Sequence, residues 1–317
     1  MLSHEVVPEQ RDGFDGVALV SHKHELRAAF SPAAGMVGYS LQHAGDELLG
    51  QRGGLTAYAE RGSTFGIPLL HPWANRLSAD AYQAEGRQVE LDPGRSPVRR
   101  DENGLAIHGL VSGHGGWTLP GRTPGGGRAG IAARLDYGAH EDLTAGFPFP
   151  HELHVHAELE ERALTVTTVV LPTSGRAVPI SFGWHPYLTL PGVPRSEWLV
   201  ELPAGRRALL DERGIPTGES EAFDLPPAPL GERVYDDLFV ELEQPARFAI
   251  EAGGRRVELE LGECYDFAQV WAPAGQDFIC FEPMTAPTNA LVSGQGLRSA
   301  QPGDSFTASF TIRVLAA

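Results

Sequence analysis

Wherever this chain is apolar, it alternates. The stretches "ELHVHAEL" (152–159) and "ALTVTTVVL" (163–171) set every second residue on one side, and the polar "EER" between them is short enough for a hairpin. "RFAIEAGGRRVELEL" reads as a second hairpin, with Gly253-Gly254 at its turn. "DFICFEP" (277–283) reads as a buried strand and "SFTASFTIRVLA" (305–316) as a last one. A helical turn fits "LTAYAERG" near 55–62, but no stripe with a period of about 3.6 is sustained. Strands with one apolar face must bury it against another layer, so this pattern predicts an all-β protein, a large antiparallel β-sandwich. The 38 glycines and 25 prolines supply turns along the whole length without collecting into a linker. "GRTPGGGRAG" (121–130) is expected at an exposed hairpin tip and "DLPPAPLGERV" (224–234) as a surface crossing. Neither reads as a boundary, so residues 1–317 are expected to form a single domain.

Charge removes several functions. Asp and Glu number 41 against 25 Lys and Arg, a net charge of −16 with histidines neutral. Such a surface repels phosphate backbones and anionic lipid, so neither nucleic acid nor a membrane is expected as a partner. The start "MLSHEVVPEQRDG" lacks the basic and apolar regions of a signal peptide, and no run approaches the roughly 18–20 apolar residues of a membrane span. Two cysteines, Cys264 and Cys280, argue against a disulfide scaffold and fit a reducing compartment, so a cytoplasmic location is expected.

Four segments set polar residues against glycine, proline or aromatic neighbours: "GIPLLHPWANRL" (66–77), "NGLAIHGLV" (103–111), "SFGWHPYLTL" (181–190) and "FEPMTAPTNAL" (281–291). A fifth, "VYDDLFVEL" (234–242), carries two acids inside a strand pattern. His185 precedes Pro186 and Glu282 precedes Pro283, which pushes both residues into extended, comparatively stiff backbone. Stiffness suits an acid or base that must stay within reach of one proton. The plainer reading is that each proline merely ends a strand; for His185 a buried filler, a metal ligand and an acid–base group all stay open. Glu282 follows "FIC", and a buried carboxylate there needs a partner. His108 between apolar residues fits a satisfied core histidine as well as a site residue. Arg76, after Trp73 and Asn75, suits hydroxyl recognition because its planar fork offers several donors. Asp236 and Asp237 are neighbours on one strand and must face opposite ways, so at most one lines a pocket and the other is expected in solvent.

Other chemistries find less support. "HELHVH" holds His151, His154 and His156, of which the last two share a strand face. It is not the helical HExxH pattern, and spacing alone brings no carboxylate to complete a metal shell, so no metal is expected. There is no G-x-S-x-G elbow, no marked nucleophilic cysteine, and no glycine-rich phosphate loop that would signal a nucleotide cofactor.

Together and in this order, the segments resemble the aldose 1-epimerase (galactose mutarotase-like) family. "PWANR", "HGLV", "GWHPY" and "FEPMTAPTNAL" are the specific parts, and the similarity runs from "GMVGYSL" near residue 35 to the final strand. The resemblance implies the family's supersandwich, a small-molecule sugar substrate, and no metal or organic cofactor. It implies interconversion of α and β anomers of a free aldose such as glucose or galactose. The pyranose ring opens, the C1 carbonyl turns, and the ring closes on the other face. By the same resemblance Glu282 matches the base, His185 the acid, and His108 a second histidine near the ring oxygen. Arg76 is similar to the arginine that holds sugar hydroxyls and Asp236 to the aspartate that accepts from them, with Asn75 and Trp271 as pocket lining. Trp184 is expected either against the sugar's C–H groups or in the core.

Two positions depart from the family pattern. Ser112-Gly113-His114 follows "HGLV" where relatives often carry a basic residue, and His71 stands where an aromatic is expected. A hexose-6-phosphate 1-epimerase is the enzymatic alternative and would need two or three cations converging on the phosphate. A non-catalytic carbohydrate-binding or sensor protein is the alternative of another class, but binding alone does not demand an acid and a base on one sugar. A polysaccharide lyase or hydrolase would need a long open cleft.

Overall fold

The computed structural model describes residues 3–125 and 127–316. Two large antiparallel sheets dominate it. One has nine strands, in the order Thr118–Gly125, Arg128–Asp136, His151–Glu160, Ala163–Pro172, Phe306–Ala316, Arg255–Leu261, Arg247–Ala252, Leu199–Glu201 and Ala228–Pro229. The other has eight, and its centre is formed by Tyr235–Val240, Phe267–Ala272 and Ile279–Met284. Gly183–Trp184 and Tyr187–Leu188 both pair with Ile279–Met284. A third sheet holds the first five strands, His4–Arg11 through Asp46–Glu47.

The hairpins read from alternation form as expected. Glu160 pairs with Ala163 across "EER", and Ala252 pairs with Arg255 across the glycine pair. The helical turn is the helix Gly54–Arg61, closed by Gly62 in the left-handed region at φ 66°. The hairpin at 121–130 also forms, with Gly126 outside the described residues. The crossing at 224–234 differs from expectation in one respect: Ala228–Pro229 adds an edge strand beside Leu199–Glu201. No helix among the described residues is long and apolar enough to cross a membrane.

Alternation decides which face of each strand is core. Trp184 of the eight-stranded sheet packs on Phe310 of the nine-stranded sheet, with ring centroids 6.0 Å apart. Phe281 packs on Phe248 in the same way at 5.4 Å. The contiguous apolar cluster extends from Val17 to Val314. Because side chains reverse face at every residue, strands that bury Phe281 and Val270 inward turn Glu282 and Gln269 outward.

One polar pair lies inside this core. His71 Nε2 and His151 Nε2 are 2.9 Å apart, boxed by Tyr137, Phe147 and Phe182. His151 Nδ1–H donates to Phe149 O at 2.6 Å, so its Nε2 accepts from His71 and both rings are neutral. Burial pushes the His151 pKa down to about 4 and that of His71 well below its usual value. An unfolded chain takes up these protons near pH 6.5 and the folded one does not. Stability should therefore be full above about pH 6.5 and fall toward pH 4, by about 1.4 kcal/mol per pH unit for each such histidine. Urea midpoints measured between pH 7.5 and 5 check this, and a flat profile would contradict it.

Candidate active site

The outward face of the eight-stranded sheet builds a cavity of about 180 Å³. Register lines up its floor: Gln269 lies opposite Glu282, and Asp236 opposite Trp271, so all four share one face. Gln269 Nε2 donates to Asp236 Oδ1 at 2.7 Å. Asp237 faces the other way, as expected of neighbours, yet it is not in solvent. It is partly buried with Arg207, whose Nη1 stands 3.5 Å from its carboxylate, and burial raises its pKa.

The segment "GWHPY" is a two-sided clamp. Trp184 turns inward, where its Nε1 donates to Thr168 Oγ1 at 3.0 Å, so its place is the core and not the sugar face. His185 turns outward. Its ring stacks on Tyr187 at 4.5 Å and 4°, and meets Trp271 edge-on at 5.8 Å. Its Nε2 lies 3.2 Å from Glu282 Oε1, with both side chains at 5% exposure or less. Gly183 permits this approach, because a Cβ there would sit 2.5 Å from Pro283 O.

His108 arrives from another segment. The backbone of "HGLV" is laced to "HPWAN": His108 N–H donates to Asn75 O at 3.0 Å and Leu110 N–H to His71 O at 2.7 Å. The close passage needs Gly109, at φ 70°, since a Cβ there would lie 2.2 Å from His71 O. Asn75 and His108 themselves sit at φ 57° and 62°, a conformation costing on the order of 1–3 kcal/mol for a residue with a side chain. The lacing holds both side chains at the cavity, and the His108 ring stands edge-on to His185 at 5.3 Å.

Arg76 is held hard. Its Nε donates to Asp101 at 2.7 Å and Nη1 to Asn75 Oδ1 at 3.3 Å, while Asp236 stands 3.9 Å and Glu102 3.6 Å away. Burial works against its charge, but the Asp101 hydrogen bond and then Asp236 outweigh it and raise its pKa. Asn289, from "PTNAL", fixes the backbone beneath: its N–H donates to Arg76 O at 3.0 Å, and its Oδ1 accepts from Ser78 N–H at 2.8 Å.

Every residue expected at the site therefore lines this cavity: Glu282, His185, His108, Arg76, Asp236, Asn75 and Trp271. Sequence reasoning missed Arg52, Gln269 and Asp101. Gln269 stands two residues before Trp271 on the same strand face, and alternation alone would have found it. Arg52 carries no local signal. Its Nη1 donates to Thr64 O at 2.9 Å and Tyr187 Oη at 3.1 Å, with its guanidinium over the Tyr187 ring at 5.4 Å. Away from the cavity, "HELHVH" splits as a strand must. His151 is core, whereas His154 turns outward and bonds Glu152 at 2.8 Å.

Electrostatics at the floor favour neutral groups. Burial drives the Glu282 pKa well up, with Asp236 adding to it, and drives that of His185 well down, helped by His108 and Arg52. Burial, then Arg76 and Arg99, pushes His108 down to about 3, so it is an uncharged hydrogen-bonding group at neutral pH. The carboxyl and imidazole in contact consequently share one proton between them. Glu282 Oε2, His108 Nδ1 and Gln269 Oε1 are buried and make no hydrogen bond to the described residues. Buried polar atoms of this kind call for partners, and a ring of hydroxyls supplies both donors and acceptors.

The family model described as aldose 1-epimerase matches residues 19–313. The chain belongs to the aldose 1-epimerase family. It is similar to YihR of Escherichia coli (strain K12), a protein described as uncharacterized, at 25% identity over 269 residues that cover 78% of this chain and 80% of YihR. A galactose mutarotase-like protein from Clostridium acetobutylicum superposes with a TM-score of 0.84, at 19% identity and over 99% of both chains. Galactose 1-epimerase from Lactobacillus acidophilus NCFM superposes at 0.78, with 15% identity over the full length of both. These two structures establish the shared fold, so the sandwich is that of the epimerase family.

Asp101 has 2% of its side chain exposed and also accepts from the backbone of Asn103 and Leu105, so it carries the orientation of Arg76. Asp101→Ala should weaken sugar binding about tenfold, the worth of one charge-assisted hydrogen bond. Titration calorimetry with glucose or galactose measures it, and unchanged affinity would contradict this role of Asp101.

Proposed function

We propose that the protein is a mutarotase, an aldose 1-epimerase that interconverts the anomers of a free aldose such as glucose or galactose, carried on a single domain. The contact between His185 Nε2 and Glu282 Oε1, 3.2 Å apart at the floor of a monosaccharide-sized cavity, carries this reading. In the free protein burial favours the protonated carboxyl and neutral imidazole. When the sugar's C1 hydroxyl donates to Glu282, the carboxylate form is favoured and the shared proton crosses to His185. Glu282 then removes the C1 hydroxyl proton while His185 protonates the ring oxygen, breaking the C1–O5 bond and leaving the open-chain aldehyde. The pair again holds one proton, now on the carboxyl. After rotation about C1–C2 the steps reverse and the ring closes on the other face. His108, uncharged, hydrogen-bonds near the ring oxygen, and Arg76 and Asp236 hold the remaining hydroxyls.

Two features favour a neutral sugar over a phosphate. The cavity is small against the roughly 300–1,000 Å³ of drug-sized sites, which suits one ring. Two arginines reach it, but Arg76 already faces Asp101, Asp236 and Glu102, so no free cationic cluster is offered to a dianion. The paired acid and base also argue against a binding-only role, which would need neither.

Polarimetry of freshly dissolved α-D-glucose and α-D-galactose tests the reading. The wild type should speed the approach to equilibrium, and Glu282→Gln should lower kcat about 10²–10⁴-fold, the usual worth of a positioned acid–base group. Full acceleration by the variant would overturn the assignment of Glu282, and no acceleration by the wild type would overturn the function. The pH profile offers a separate check. An unperturbed Glu and His hold one proton between them only from about pH 4.3 to 6.5. Here burial moves the Glu282 pKa well up and the His185 pKa well down, so the pair holds its one proton over a wider range. The kcat/KM profile should therefore be broader than that window, whereas a bell confined to about pH 4.3 to 6.5 would contradict the assignment.

A further inference from the structure

Outside the sugar cavity, the loop after "HGLV" brings a second group of chemistry-bearing side chains together. His114 lies on this loop, with its N–H bonded to Val111 O at 3.0 Å. Across from it stand His140 and Asp142, at the start of the segment Glu141–Gly146. The two imidazoles meet edge-to-face at 4.5 Å, and His114 Nε2 is 3.8 Å from Asp142 Oδ2. One ligand atom from each of the three residues lies within 4.8 Å of the others. Gly116 makes room for this: a Cβ there would stand 2.7 Å from His140 Nε2 and 2.8 Å from His114 Cε1.

We infer that His114, His140 and Asp142 form a binding site for a borderline divalent cation of the Zn(II) class. Two imidazoles and a carboxylate are a ligand set that zinc takes, and tetrahedral bonds of about 2.0–2.2 Å put ligand atoms about 3.3–3.6 Å apart. Drawing the three atoms from within 4.8 Å to that spacing needs only small side-chain rotations, since Asp142 is half-exposed. Water from the shallow hollow beside His140 and Asp142 completes the shell. Binding through His114 Nε2 moves that ring's proton to Nδ1, so the contact from Gly116 N–H at 3.2 Å is exchanged for the metal–nitrogen bond. The ion would tie the loop following His108 to the 140–146 segment, six residues along the chain from the sugar site. It would add stability by mass action without touching the sugar.

Chelator-treated full-length protein is titrated with ZnCl₂ by calorimetry and with CoCl₂ by visible absorption, alongside His140→Ala, Asp142→Asn and the double variant His154→Ala/His156→Ala. The wild type should bind one ion per chain with a Kd of about 10 µM or tighter and show tetrahedral cobalt bands. His140→Ala should weaken binding about 100-fold and Asp142→Asn about tenfold or more, with circular dichroism unchanged. The His154/His156 double variant should bind as the wild type does. Absence of wild-type binding up to about 1 mM overturns the site, as does binding that survives both single variants or disappears with His154 and His156.

Discussion

The structure turns on a carboxyl and an imidazole placed in contact where water is nearly excluded. Burying either one charged and alone would cost several kcal/mol, and burying them together with a single proton avoids most of that. The pair is net neutral whichever group holds the proton. The 3.2 Å contact therefore makes two protonation arrangements available at modest cost, and the proposed ring opening needs two such arrangements. Neighbours tune the balance: Asp236 adds to the rise at Glu282, His108 and Arg52 add to the fall at His185, and Arg76 is occupied by acids. Cys280, on the same strand face as Glu282, packs against Tyr187 and Phe278, and burial pushes its thiol pKa well up.

What delivers this pair is the arithmetic of strands. Ile279–Met284 has Phe281 in the core and Glu282 in the cavity because neighbours on a strand face opposite ways. Phe267–Ala272 repeats the device with Val270 inward and Gln269 and Trp271 outward, and Tyr235–Val240 repeats it with Asp236. A slip of one residue in any of these strands would send a carboxylate or an amide into the core, so packing of the apolar face also specifies the site. The loops add what strands cannot. "HPWAN" and "HGLV" approach so closely that glycine is required at residue 109, and their mutual hydrogen bonds hold Asn75 and His108 in otherwise unfavourable backbone.

This division explains what could be read from the chain. Strand-borne features were legible, because alternation states the face: the hairpins at 152–171 and 247–261, and the opposed Asp236 and Asp237. The motif residues were legible as a set through family resemblance, and all of them meet at one cavity. Residues whose role arises from long-range contacts left no local trace. Arg52 reaches Tyr187 from 135 positions away, and Asp101 reaches Arg76 from a separate loop. Asp237 was expected in solvent because nothing in "VYDDLFVEL" reveals Arg207 on the neighbouring strand. His71 departs from the expected aromatic and is answered by His151, 80 residues later, which turns a departure into a core pair.

Infrared difference spectra between the wild type and Glu282→Gln, at about pH 7.5 and without sugar, test the shared buried proton most directly. The difference should contain the carbonyl band of a protonated carboxylic acid and lack carboxylate bands. A difference dominated by carboxylate bands would mean that Glu282 is ionised against an imidazolium, and the account of a neutral resting pair would be wrong.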